Sequence, residues 1–271
     1  MLKENCSFIG ALFLCGLAVV LTGCSSSATK LTNLGNTQLA YQYHAGAGPT
    51  VVFQAGLGDG QSTWSSVVAK LPPTQSYFTY DRPGYGSSGK TTAPRDPCSI
   101  ATEQHQLLVQ SGVKAPYVLV GHSIGGLYEY VYALKYPDEV AGIILLDPTH
   151  PEHWKSLESD APLAAGLVKT MRYTVFSMAA RAEFDAQEQC LGSPPQKLPS
   201  SLSAHTQLLV STKANPGEQG AFQVVLSKLR QDWLRLTGVA QLTPVADSTH
   251  YIQKDRPDAV LTAIGKLTAK Q

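Results

Sequence analysis

The 271-residue chain is poor in charge: 15% of its residues are ionised, and 21 Lys and Arg face 20 Asp and Glu for a formal net charge of +1. So flat a balance leaves no basic stripe for a phosphate backbone and no acidic tail, which argues against nucleic acid as a partner. The five Cys and seven His fall into no group with metal-ligand spacing, and no glycine-rich loop follows a phosphate-cradling pattern, so no metal or other cofactor is expected. The 23 Gly and 17 Pro are scattered, which excludes collagen-like and disordered compositions. There is no internal repeat and no low-complexity tract. What is present, 43% apolar residues and 12 Tyr among them, suffices for a full-sized core.

Long apolar runs are missing as well. The longest apolar run, Phe8–Leu21, carries no charge and spans 14 residues, too few to cross a bilayer as a stable helix. Behind Lys3, which Glu4 offsets, it suits the apolar core of a secretory signal. It ends in Leu21-Thr22-Gly23-Cys24 before three serines, which resembles the lipobox of bacterial lipoproteins. The resemblance implies cleavage before Cys24, lipid on its thiol and new amino terminus, and a membrane-anchored protein of the bacterial envelope. An ordinary cleaved signal and an uncleaved anchor are the alternatives. Cys6 and Cys15 would leave with the signal, so Cys98 and Cys190 remain in the folded part. In an oxidising compartment such a pair either forms a disulfide or stays as two buried thiols, and both readings stand.

After a small polar stretch, Ser25–Asn36, apolar and polar residues partly alternate over Thr37–His44, as in an edge strand. Short β-branched or aromatic runs follow at Thr50–Gln54, Tyr77–Tyr80, Tyr117–Val120 and Ile143–Leu146, each stopping at Gly or Asp. Helical patterns lie between them, near Ile100–Gln110 and Leu127–Lys135. That alternation predicts an α/β fold with a mostly parallel sheet buried on both faces by helices. From Pro151 to Ser203 strand-like runs disappear, and Leu163, Leu167, Met171, Val175 and Met178 recur at helical spacing, which predicts an inserted helical cap. Strands near Leu208–Val210 and Leu242–Ala246 and helices near Phe222–Leu236 and from Pro257 complete the pattern.

Gly121-His122-Ser123-Ile124-Gly125 directly follows an apolar strand and precedes a helix. A serine on so tight a turn has strained backbone angles, and Gly on either side removes Cβ atoms where the chain passes close to itself. The turn lifts the hydroxyl above the sheet, and the helix start aims free amides at the same spot. Together with Asp81-Arg82-Pro83-Gly84-Tyr85-Gly86-Ser87-Ser88 and Ser248-Thr249-His250-Tyr251, this motif resembles the α/β-hydrolase superfamily, in its esterase and proline-iminopeptidase-like branch. The resemblance runs from about Leu39 to Leu267 and is weakest over the cap.

It implies a nucleophile at Ser123 and a general base at His250, the one His between the last strand and the last helix. The superfamily's usual place for the acid, the loop Ser211–Glu218, contains no Asp. Asp147, at the end of the Ile143–Leu146 run, takes that role in some members, and Glu218 is the alternative. Oxyanion donors are expected at the amides of Ile124 and Leu57, although the loop reads Ala55-Gly56-Leu57 where the family usually has His-Gly-X. His122 is expected to point away from substrate and Asp81-Arg82-Pro83-Gly84 to be mostly architectural, a turn with a buried ion pair or hydrogen bonds near the site. Trp64, Trp154 and the stripe from Met171 to Met178 read as cap core or, alternatively, as an acyl pocket.

The expected function is a serine hydrolase cleaving a carboxylic ester, or an amide, through an acyl-enzyme. An acyltransferase, a cofactor-free haloperoxidase-like enzyme and a catalytically silent envelope binding protein are the alternatives. Expected boundaries are a signal peptide at 1–23, a tether at 24–36, core at 37–150, cap at 151–203 and core again at 204–271.

Overall fold

The computed structural model describes residues 28–214 and 219–269; the signal segment, Cys24 and Glu218 lie outside them. The strands are β1 (Lys30–Leu34), β2 (Thr37–His44), β3 (Ala47–Gln54), β4 (Gln75–Tyr80), β5 (Tyr117–His122), β6 (Val140–Leu146), β7 (Thr206–Ser211) and β8 (Thr243–Val245). They form one sheet in the order β1-β2-β4-β3-β5-β6-β7-β8. Pairing is parallel from β4 through β8, while β1 and β2 are antiparallel additions at one edge. The helices are α1 (Ser65–Val68), α2 (Pro97–Gln110), α3 (Ile124–Lys135), α4 (His153–Asp160), α5 (Pro162–Val175), α6 (Met178–Ala186), α7 (Ser200–Ser203), α8 (Ala221–Thr237), α9 (Ile252–Asp255) and α10 (Pro257–Thr268).

The central strands read as unbroken apolar runs because both faces are covered. In β5, Leu119 packs with Leu107, Leu127 and Tyr128 of α2 and α3, whereas Val118 and Val120 pack with Val260, Ala263 and Ile264 of α10. In β6, Ile143 and Leu145 face the first group and Ile144 and Leu146 the second. The sheet thus separates two apolar layers, and its strand ends are the places left for polar chemistry.

Two regions depart from expectation. The segment expected to be a tether contains β1, paired to β2 through a two-residue turn in which Gly35 takes a positive φ of 57°. The Gly-Asn turn signal between two partly alternating segments is what closes this hairpin. Between β6 and β7 the chain runs through α4 to α7, but the stripe on α5 is neither core nor pocket. Leu163 is 91% exposed and Met178 71%, and Leu167, Met171 and Val175 also face outward. Only small or flanking residues, Ala161 and Ala165 with Leu157, pack inward against Val225 and Leu229 of α8. Helical periodicity marks a face; it does not say that anything covers it.

Candidate active site

Ser123 stands between the last residue of β5 and the first of α3, with φ 55° and ψ −125°. A non-glycine residue holds such angles only where the surroundings over-determine them. Here they do: the Ser123 amide donates to the carbonyl of Leu146 (3.0 Å), and its own carbonyl accepts from Gly126 (2.9 Å) and Thr149 (3.0 Å). A Cβ at Gly121 would sit 2.5 Å from the Gly125 oxygen, and one at Gly125 would sit 2.5 Å from the Ala55 oxygen, so the turn closes only with glycine. The Ser123 hydroxyl makes no capping bond to α3.

Asp147 directly follows β6, also at a positive φ of 42°. Its Oδ1 accepts from the Ser211 amide (3.1 Å) and from Nη2 of Arg230 (2.8 Å) on α8. Its Oδ2 lies 3.5 Å from Nδ1 of His250, which sits in the loop between β8 and α9. Burial alone would raise the Asp147 pKa; the His250 ring, the Arg230 charge and the Ser211 amide outweigh it and hold the carboxyl below the usual range. Ser123, Asp147 and His250 line one cavity of about 150 Å³, together with His150, His153, Phe222, Leu226, Leu229, Arg230 and Trp233. A larger hollow of about 430 Å³ beside β1 and α2 is lined by Glu103 and Lys135 but by no histidine.

His122 does not line this cavity. Its Nε2 donates to the carbonyl of His250 (2.8 Å), which fixes the tautomer because a carbonyl can only accept. Burial first, then the neighbouring His250, push its pKa down to about 3, so the ring is neutral. Through this bond His122 ties down the backbone that carries His250. His150 and His153 were not singled out from sequence. Both sit in or just after the loop leaving β6, a position that already placed them at the carboxyl edge beside Asp147. His150 accepts from the Glu152 amide at Nδ1 (3.1 Å) and donates from Nε2 to Asp232 (3.0 Å). Burial lowers the His153 pKa to about 4. Arg230 carried no sequence signal; only the fold brings α8 to Asp147.

Gly56 lies against the turn at Ser123: a Cβ there would be 3.4 Å from Cβ of Ser123 and 2.9 Å from Nδ1 of His122. That places the adjoining Leu57 amide beside the turn, as Ile124 is by being the first residue of α3. Asp81 holds the neighbouring loops, accepting from the amides of Gln61 (2.7 Å) and Ser87 (2.9 Å). Arg82 pairs with Glu183 of α6, both fully buried. Trp64 packs on Phe53 beneath the sheet, and Trp154 on Phe184 within the cap; neither lines the cavity. Cys98 at the start of α2 and Cys190 beyond α6 are joined as a disulfide. Among the described residues, Asp96, Cys98 and Cys190 alone cluster closely enough for a metal ion. Both sulfurs are spent in the disulfide and Asp96 caps α2, which leaves no thiolate to coordinate. No described helix is long and apolar enough to cross a membrane.

Comparison with known proteins agrees with this architecture. Residues 49–188 match the family model described as the alpha/beta hydrolase fold. The uncharacterised protein YqjL of Bacillus subtilis (strain 168) is 29% identical over 218 residues, covering 80% of this chain and 83% of that protein. A (lyso)-N-acylphosphatidylethanolamine lipase of Bos taurus is 34% identical over 106 residues, which span 36% of this chain and 30% of the lipase. The structure of a thermophilic esterase from Thermogutta terrifontis superposes with a TM-score of 0.60 at 19% identity, over 91% of this chain and 99% of the esterase. With a glycine-flanked serine raised at the end of a central parallel strand and the family match spanning half of the sequence, the chain belongs to the alpha/beta hydrolase fold family.

Proposed function

We propose that this hydrolase cleaves carboxylic esters through an acyl-enzyme on Ser123, within the esterase and proline-iminopeptidase-like branch of its family. One observation carries the reading: the strained serine shares a cavity with an imidazole whose far nitrogen faces a buried carboxylate held ionised. His250 takes the Ser123 proton as Oγ bonds to the carbonyl carbon, and returns it to the leaving alkoxide; water then repeats the sequence and frees the acid. Asp147 orients the imidazole and balances its charge. The amides of Leu57 and Ile124 hold the oxyanion. Drug-sized ligand sites measure about 300 Å³ and more. A cavity of about 150 Å³ therefore favours a short acyl group. The lipobox-like sequence at Cys24 supports anchoring in the bacterial envelope.

A fluorophosphonate probe and a series of 4-nitrophenyl esters of increasing acyl length test the reading. Labelling and turnover by the wild type, both abolished in a folded Ser123→Ala variant, support it; no labelling of folded wild type favours a binding protein instead. Asp147→Asn is expected to lower kcat by on the order of 10⁴-fold, by loss of the working imidazole tautomer. Near-normal turnover in that variant with a large loss in Glu218→Gln would move the acid to Glu218.

A further inference from the structure

Arg82 lies at the base of the loop that carries Leu57 and spends all of its N–H donors. Nε donates to Oε1 of Glu183 (2.8 Å) and Nη2 to Oε2 (2.9 Å), a two-pronged pair reaching the cap helix α6. Nη1 donates to Oε1 of Gln54 (2.9 Å) and to the carbonyl of Ala55 (2.6 Å), and the second Nη2 proton goes to the carbonyl of Gly56 (2.9 Å). The rings of Tyr85 and Tyr128 flank the guanidinium at 4.9 and 5.4 Å. Tyr85 also donates its hydroxyl to Glu183 (2.9 Å), and Arg95 approaches the same carboxylate at 3.3 Å. A guanidinium has five donors in one plane, so this set of partners admits a single orientation.

The Gly56 carbonyl and the Leu57 N–H are the two ends of one peptide plane. That peptide is trans, and a trans amide directs its N–H opposite to its oxygen. Whatever holds the Gly56 oxygen therefore aims the Leu57 donor. A cation on the oxygen also polarises the amide and strengthens the N–H as a donor. The Asp59 amide bonds the same oxygen at 3.3 Å, a longer contact that carries no charge. Resting on the reading of Leu57 as an oxyanion donor, we infer that Arg82 is a positioning residue that aims and polarises the Leu57 amide, and that Glu183 fixes Arg82 for this task. The cap is thereby coupled to transition-state stabilisation through one buried ion pair.

Arg82→Lys tests this, because an ammonium keeps the charge but cannot span the fork. The readouts are kcat and KM on the 4-nitrophenyl ester best cleaved by wild type, and inhibition by a trifluoromethyl ketone of the same acyl chain, whose adduct carries the oxyanion. The expected result is a loss in kcat on the order of 10²-fold with KM within about threefold, and a similar loss in ketone affinity. Arg95→Lys is the control: it disturbs the same carboxylate without touching the loop, and is expected to lower stability while keeping kcat within about twofold. Wild-type kcat in folded Arg82→Lys, or an equal fall in Arg95→Lys, overturns the inference. Should Arg82→Lys not fold, Arg82→Met/Glu183→Gln removes both charges together and leaves no lone ion inside. An unchanged kcat there overturns it equally. Absence of turnover and Ser123 labelling in the wild type refutes the underlying reading before any variant is made, so the two failures are distinguishable.

Discussion

Two glycines show how differently the turn at Ser123 and the cap are built. At Gly125, in the first turn of α3, an added Cβ would meet backbone oxygens of β3 and its following loop, Ala55 among them at 2.5 Å. At Gly166, in α5, nothing lies within 4 Å. Around Ser123 three stretches of main chain are pressed together, and main chain cannot be repacked by changing a rotamer. Helices α4 to α6 are attached mainly by side chains: the small cluster of Leu157, Ala161 and Ala165 on α8, the Asp160 and Glu183 ion pairs, and the Cys98–Cys190 disulfide. The geometry of the turn is thus written in backbone, and the position of the cap in a handful of separable contacts.

That contrast breaks if Gly125→Ala is tolerated. The variant must displace the loop of Ala55 or tilt α3, and a loss of about 3 kcal/mol or more is expected in urea unfolding. Wild-type stability would mean that the main chain here is softer than its contacts indicate. For the cap, Cys98→Ser/Cys190→Ser removes a cross-link closing 92 residues of chain. A loss of about 2–4 kcal/mol is expected in the same measurement. Because Cys190 follows α6, the double variant also loosens the helix that presents Glu183 to Arg82, so limited proteolysis should cut first between Pro151 and Ser203. First cleavage within the sheet would show that the disulfide staples the core and not the cap.

A pH titration sharpens the comparison, since each region holds a neutral histidine. His122 under the turn is held down to about 3, by burial and then by His250, and His153 at the start of α4 to about 4, by burial and then by His150 and His250. Between about pH 4 and 6.5 the unfolded chain binds protons that these rings refuse, so stability rises with pH by about 1.4 kcal/mol per unit for each. Glu129, buried with both oxygens accepting from Gln104, is pushed by burial up to about 8 and acts in the opposite sense. Its contribution is complete below pH 4.5 and is lost as pH climbs to 8. Together they place the stability maximum near pH 6.5. Glu129→Gln should flatten the alkaline limb and steepen the acid limb above about pH 4.5, where Glu129 opposes the two histidines; an unchanged alkaline slope would show that Glu129 is ionised in the folded state.

Legibility followed the same division. The turn at Ser123 could be read from sequence because its constraints are local: a strand, two glycines at fixed spacing and a helix. The loops carrying Asp147 and His250 could be read because strand order alone sends them to the carboxyl edge. What could not be read depends on pairs far apart in the chain. Arg82 and Glu183 are separated by 101 positions, Arg230 and Asp147 by 83, and neither spacing leaves a local trace. The α5 stripe misled for a related reason: its periodicity is genuine, yet among the described residues nothing covers it, and Leu163 faces outward. In β1 the turn signal was present and was outweighed by a small, polar composition.

The smallest expected effect separates the two regions most directly, because it changes one methyl group and opposes the largest in sign. Gly166 occupies an interior position of α5 with open space where its Cβ would lie. Gly→Ala in a helix interior removes backbone freedom from the unfolded chain and improves helix propensity, a gain of up to about 1 kcal/mol. The same methyl at Gly125, also helical, gains the same propensity and loses several times more to the clash. Gly166→Ala should therefore raise stability slightly in urea unfolding and leave kcat and KM on a 4-nitrophenyl ester unchanged. The difference between the two variants then measures backbone packing at the turn with propensity cancelled. A destabilised Gly166→Ala would mean that α5 lies against something in solution, and its outward-facing leucines would then be an interface.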